Sequence, residues 1–109
     1  MSEWGKFSTQ VGREFGDILR SRRALLGLTQ GELAERLGLQ RTSITNMESG
    51  NQIPSLPYVI AIAQLFDIEP SVLIPRVQAP IAAGGTYSRK ISDYQNIASE
   101  ILRDVSSAG

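Results

Sequence analysis

The chain has 109 residues, 41% of them apolar, with 11 basic and 11 acidic side chains and neither cysteine nor histidine. That length suits one small domain with some extra chain. The missing residue types exclude a disulfide framework, a thiolate or imidazole metal site and histidine-based acid–base catalysis, so no cofactor and no metal are expected. No stretch approaches the ~20 apolar residues of a membrane helix, and the first residues, MSEWGKFSTQVGREF, lack an apolar leader segment; a cytoplasmic location is expected. Zero net charge counts mildly against nucleic-acid binding, for which a basic balance is the usual footprint. Positive charge is instead local, at Arg20, Arg22 and Arg23.

Residues 1–12 read as a lead-in, interrupted by Gly5 and Gly12, with Trp4 and Phe7 free to pack on the domain or on a partner. Phe15, Ile18, Leu19, Leu25 and Leu26 recur at helical spacing and predict a first helix from about Val11 or Arg13 to Leu26, ended by Gly27. A second helix is predicted over residues 30–37. Thr29 is a good N-cap and Glu32 stands three residues later, the spacing of a capping box. Leu33, Ala34 and Leu37 form its apolar face, and Ala34 is small enough for two helices to cross closely. Gly38 follows where a left-handed residue is wanted, and Leu39 tucks under the turn. A third helix runs from about residue 41 to 49, with Ile44 and Met47 buried and Gly50 as its stop. Its opposite face exposes Arg41, Thr42, Thr45, Asn46 and Ser49, hydrogen-bonding side chains suited to base edges or phosphates. Gln40 is a weak cap for this helix.

Asn51-Gln52-Ile53-Pro54 is a loop. Ser55 caps a fourth helix over residues 56–66, with Pro57 in its first turn. Leu56, Val59, Ile60, Ile62, Ala63 and Phe66 are too many for a one-sided stripe, so part of this helix is free for a partner. Asp67 takes the left-handed position after it. A short fifth helix is predicted over residues 68–74. Residues 76–88 read as a linker. Over residues 89–109 apolar residues again recur at spacings of three and four, predicting a C-terminal helix that needs a surface to cover it, either its own domain or, as the favoured reading, a second copy in a dimer.

In order and spacing, LRSRRALLGLTQ, TQGELAERLGLQRTSITNMESG and PSLPYVIAIAQLFDIEPSVLI resemble the phage repressor/Cro (XRE-like) family of helix-turn-helix DNA-binding domains, over about residues 15–75. The resemblance implies an all-α fold: a compact five-helix lambda-repressor-like domain over residues 13–75, with the C-terminal helix additional to it. It places Gln40, Arg41, Thr42, Thr45 and Asn46 against base edges and backbone in the major groove, a docking mode for which the family supplies the standard examples. Gln30 would grip a phosphate and buttress the recognition helix. Arg23 and Glu48 would form a structural ion pair tying the first helix to the third. The loop after Gly50 would hold phosphates, but it lacks the Lys or Arg that many members carry, leaving Asn51, Gln52 and Ser55 as neutral substitutes.

The implied partner is double-stranded operator DNA, bound by a homodimer, with helix four or the C-terminal helix as the further protein contact. The expected function is a sequence-specific transcriptional regulator, a repressor at a palindromic operator. An antitoxin or restriction–modification controller would share the fold, and so would an adaptor that has lost DNA binding. Carboxylates occur singly, with no phosphate loop or nucleophile elbow, so no enzyme is expected.

Overall fold

A computed structural model describes residues 2–81 and Ile101. The chain divides into two units, residues 1–79 and 80–109. The expected linker is described only as far as Ile81, and the expected C-terminal helix, with its dimerisation role, lies outside the described residues apart from Ile101.

Within the first unit the described residues form four α-helices and a short 3-10 helix, with no strand. They are α1 (Glu3–Leu25), α2 (Gln30–Leu37), α3 (Arg41–Ser49) and α4 (Leu56–Phe66), followed by the 3-10 turn Pro70–Leu73. The five-helix expectation is therefore corrected to four. Pro70 starts the last element and only Leu73 in it is buried, which leaves it too short for α-helical hydrogen bonding to propagate.

The second correction concerns the N-terminus. α1 begins at Glu3, and residues 3–12 belong to it. Ser2 caps it, its hydroxyl accepting from the Gly5 amide at 3.0 Å. Glu3 in the first turn and Arg22 and Arg23 in the last complement the helix dipole. Gly12 does not interrupt this helix; with Gly16 it lets the end of α3 lie directly on α1. A β-carbon at Gly16 would sit 2.5 Å from the Met47 carbonyl oxygen and 2.6 Å from that of Glu48, and one at Gly12 would sit 3.0 Å from the Gly50 carbonyl oxygen. The ~1 kcal/mol that each helical glycine costs is offset by the packing of α1 on α3, the most extensive helix pair of the unit.

The core comprises Phe15, Leu19, Leu28, Leu33, Ala34, Ile44, Met47, Val59, Ile62, Ala63, Phe66 and Leu73. Leu37 and Leu39 pack against it. Leu25 and Leu26, placed on the buried stripe by periodicity, are instead exposed, because the last turn of α1 runs past the core. On α4, Leu56, Tyr58 and Ile60 are exposed, Leu56 and Ile60 on one flank of the buried stripe and Tyr58 on the other, and Ile53 just before the helix is exposed as well. No helix among the described residues is long and apolar enough to cross a membrane.

Candidate nucleic-acid interface

The turn between α2 and α3 is built from local signals. Thr29 and Glu32 close the capping box in both directions: the Glu32 amide donates to the Thr29 hydroxyl at 3.0 Å, and the Thr29 amide donates to the Glu32 carboxylate at 3.1 Å. The bond from the Thr29 backbone, reinforced by its hydroxyl, holds the Glu32 carboxyl below its ordinary pKa. Gly38 takes the left-handed conformation (φ 69°) that ends α2, and its neighbour Leu39 donates to the Ala34 carbonyl at 2.8 Å. α3 starts at once, without a side-chain cap from Gln40. The Ser43 amide in this first turn donates to the Gln40 carbonyl at 3.0 Å, and the start of the helix carries the positive end of its dipole.

A buried polar network sets the position of α3. Glu48 is only 4% exposed and Arg23 15%. The Arg23 guanidinium donates to both carboxylate oxygens, at 2.5 and 3.0 Å, and also to the Leu28 carbonyl at 2.7 Å. The Gln30 amide donates to Glu48 at 3.1 Å, and its oxygen accepts from the Thr45 hydroxyl at 3.1 Å. Burial pushes the Glu48 carboxyl up, but the hydrogen bonds from Arg23 and Gln30 and the charges of Arg23 and Arg20 outweigh it, so the group lies below the usual carboxylate range. The same bond to Glu48 raises Arg23, against its own partial burial. One network thus joins α1, α2 and α3, and no buried side-chain polar atom among the described residues lacks a partner.

The structure brings most of the sequence-derived site residues onto one face. Gln40, Arg41, Thr42, Thr45 and Asn46 are all exposed. Arg41 lines a groove with Thr29, Gln30, Gly31 and Arg23. Two side chains are already engaged, however. Thr45 can place its one hydroxyl proton on Gln30 or on the Arg41 carbonyl at 3.2 Å. Gln30 has one amide N–H left for any external acceptor. Asn51 and Gln52 are exposed, but their main-chain N–H groups both donate to the Asn46 carbonyl, at 2.9 and 3.1 Å. Only their side chains are left to meet a phosphate.

Within the arginine cluster the sequence sets apart only Arg23, through its expected pair with Glu48, and the structure also separates Arg20 from Arg22. Arg20 lines the groove that contains Gln30, Thr45, Glu48 and Ser49. Arg22 lines a different one, with Asp17, Ile18, Ser21 and Val72. Among the described residues no group of three or more His, Cys, Asp or Glu is placed to hold a metal.

A family model described as Helix-turn-helix matches residues 19–73, half of the chain. The ImmF control region 10 kDa protein of Bacillus phage phi105 is 30% identical over 78 residues, covering 72% of this chain and 86% of that protein. An HTH-type transcriptional regulator of Methanothermobacter thermautotrophicus is 47% identical over 47 residues, covering 43% of this chain and 68% of that one. Among solved structures, the restriction-modification controller protein C.AhdI from Aeromonas hydrophila superposes with a TM-score of 0.54 at 37% identity, covering 57% of this chain and 94% of the controller. Hydroxypropylphosphonic acid epoxidase from S. wedmorenis also superposes, with a TM-score of 0.59. At 21% identity over 40% of that enzyme, this likeness concerns the fold alone.

Proposed function

The chain belongs to the helix-turn-helix family, and from that premise we propose that it is a DNA-binding transcriptional regulator, acting as a homodimeric repressor at a palindromic operator. The observation that carries the reading is the exposed polar face of α3 held rigid by the Arg23–Glu48–Gln30 network. Arg41 forks onto guanine O6 and N7, and Asn46 pairs with adenine, each giving ~1–3 kcal/mol of discrimination. Thr42 sets its methyl against a thymine methyl or its hydroxyl on a phosphate. Gln40, Asn51 and Gln52 contact the backbone, as does the remaining amide proton of Gln30. The exposed apolar pair Leu56 and Ile60 on one flank of α4 supports the dimer, which would set two α3 helices in major grooves about 34 Å apart.

Among regulator roles, the similarity to C.AhdI over nearly all of that controller's length favours a small autonomous switch of the controller or phage-control type. Selecting bound sites from a random DNA pool tests the proposal. A two-fold symmetric site with one-turn spacing is expected. Failure to bind any duplex at both low and moderate salt would leave the adaptor reading in its place.

A further inference from the structure

We propose that the extended α1 carries a second DNA-binding element: a row formed by Lys6, Arg13 and Arg20 that holds phosphates of one strand beside the recognition helix. It rests on the DNA-binding reading above and adds to it a backbone clamp, two of whose three cations, Lys6 and Arg13, precede the matched family segment.

The geometry comes from the helix itself. Three cations spaced by seven residues lie about 10.5 Å apart along an α-helix and drift by only ~20° per step, so they form a nearly straight row about 21 Å long. Its position is fixed at three places. At one end Arg20 lines the same groove as Gln30, Thr45 and Ser49, on the polar side of α3. In the middle the α1 backbone passes against the end of α3, where a β-carbon at Gly50 would be 3.0 Å from the Arg13 α-carbon. At the other end Lys6 and Arg13, with Thr9 and Gln10, line a shallow polar groove. The row therefore continues the surface that α3 presents.

Charge and hydrogen bonding favour phosphate as the occupant. Lys6 and Arg13 are exposed, and neither forms an ion pair with a described residue. The loop that follows α3 has no cation between Asn51 and Ser55, and the amides of Asn51 and Gln52 are committed to Asn46. The positive charge beside the end of α3 is thus supplied by α1. Asp17 stands 3.8 Å from Arg20 in an exposed pair. It moderates the row at one end and offers a second handle for the test.

The test uses the full chain, a duplex recovered from the random pool and a scrambled duplex, with affinity measured by fluorescence anisotropy between about 50 and 300 mM KCl. Each phosphate contact contributes about 0.9 to the slope of log affinity against log salt. The double variant Lys6→Gln/Arg13→Gln, checked for native helicity, should lower that slope by about 1.8 for both duplexes and keep the preference between them. Asp17→Asn should tighten both complexes. An unchanged slope in the double variant, a loss of sequence preference there, or no gain from Asp17→Asn would each overturn the clamp. If the wild-type chain binds the selected duplex and the slope does not move, only the clamp fails; if the wild-type chain binds no duplex, the regulator reading fails and the clamp with it.

Discussion

Replacing Glu48 by Gln removes one charge from the network and little volume. Glu48 is 4% exposed and accepts two bonds from Arg23 and one from Gln30. Removing one partner of a buried ion pair costs about 3–5 kcal/mol, because the other charge is left uncompensated. Gln keeps one oxygen that can still accept from Arg23, and Arg23 retains its bond to the Leu28 carbonyl, so the lower end, about 3 kcal/mol, applies. That is a large share of the roughly 5–15 kcal/mol typical of a small domain. The pH dependence separates charge from shape. The folded-state pKa of Glu48 is depressed. Its contribution is therefore complete above the unfolded value of about 4.3 and is lost as pH falls through the folded value. The contribution of Glu32 follows the same direction but is common to both proteins, so it cancels in their difference. Urea unfolding followed by circular dichroism should show a gap of about 3 kcal/mol between wild type and Glu48→Gln from pH 7 down to about 5, narrowing below about 4. A gap under about 1 kcal/mol at neutral pH, or one that persists unchanged at pH 3, would refute the assignment of the network's strength to this charge.

Gly16→Ala should destabilise the domain by about 1–3 kcal/mol or more in urea, since the new carbon meets backbone oxygens that cannot swing away; a neutral result would show that α1 and α3 can separate freely. Thr29→Ala should cost about 1 kcal/mol by removing half of the capping box, read from the shift in urea midpoint. Arg41→Ala should leave the unfolding curve within about 0.5 kcal/mol of wild type, because the side chain is exposed. It should relax base preference at one position of each half-site by about 1–3 kcal/mol, and site selection giving the same consensus would remove Arg41 from the readout.

The features legible in the sequence were those whose cause lies within a few residues. The Thr29–Glu32 box, the left-handed Gly38 and Gly50 and the left-handed Asp67 (φ 56°) each answer a local backbone demand, and a single sequence carries that demand in full. The exposed face of α3 was legible as what remains once Ile44 and Met47 are buried. Features that depend on a second element were not, except the Arg23–Glu48 pair, which the family resemblance supplied. Periodicity placed Leu25 and Leu26 on the correct helix but carries no information on where the core ends. Gly12 looks like a helix breaker until the carbonyls of α3 are seen lying on it. The same error shortened α1 and hid the alignment of Lys6 and Arg13 with Arg20, which exists only if the helix is continuous from Glu3. At the site, the bond between Thr45 and Gln30 joins residues 15 positions apart and has no sequence signature.

That bond narrows the readout. A hydroxyl with one proton shared between Gln30 and the Arg41 carbonyl has its donor engaged, so Thr45 can offer DNA only its methyl group and an oxygen lone pair. Gln30 holds Glu48 with one amide proton and has one left to give. If the chain reads DNA as proposed, discrimination between bases would fall mainly to Arg41, Thr42 and Asn46, which are exposed and whose side chains form no bond with a described residue. The two engaged residues act by keeping α3 still. A recognition helix free to rotate by even one residue's arc would present a different set of side chains to the groove. On the proposed DNA-binding reading, the buried Glu48 side chain, which cannot itself reach DNA, would act on sequence preference through the Gln30–Thr45 link that it anchors.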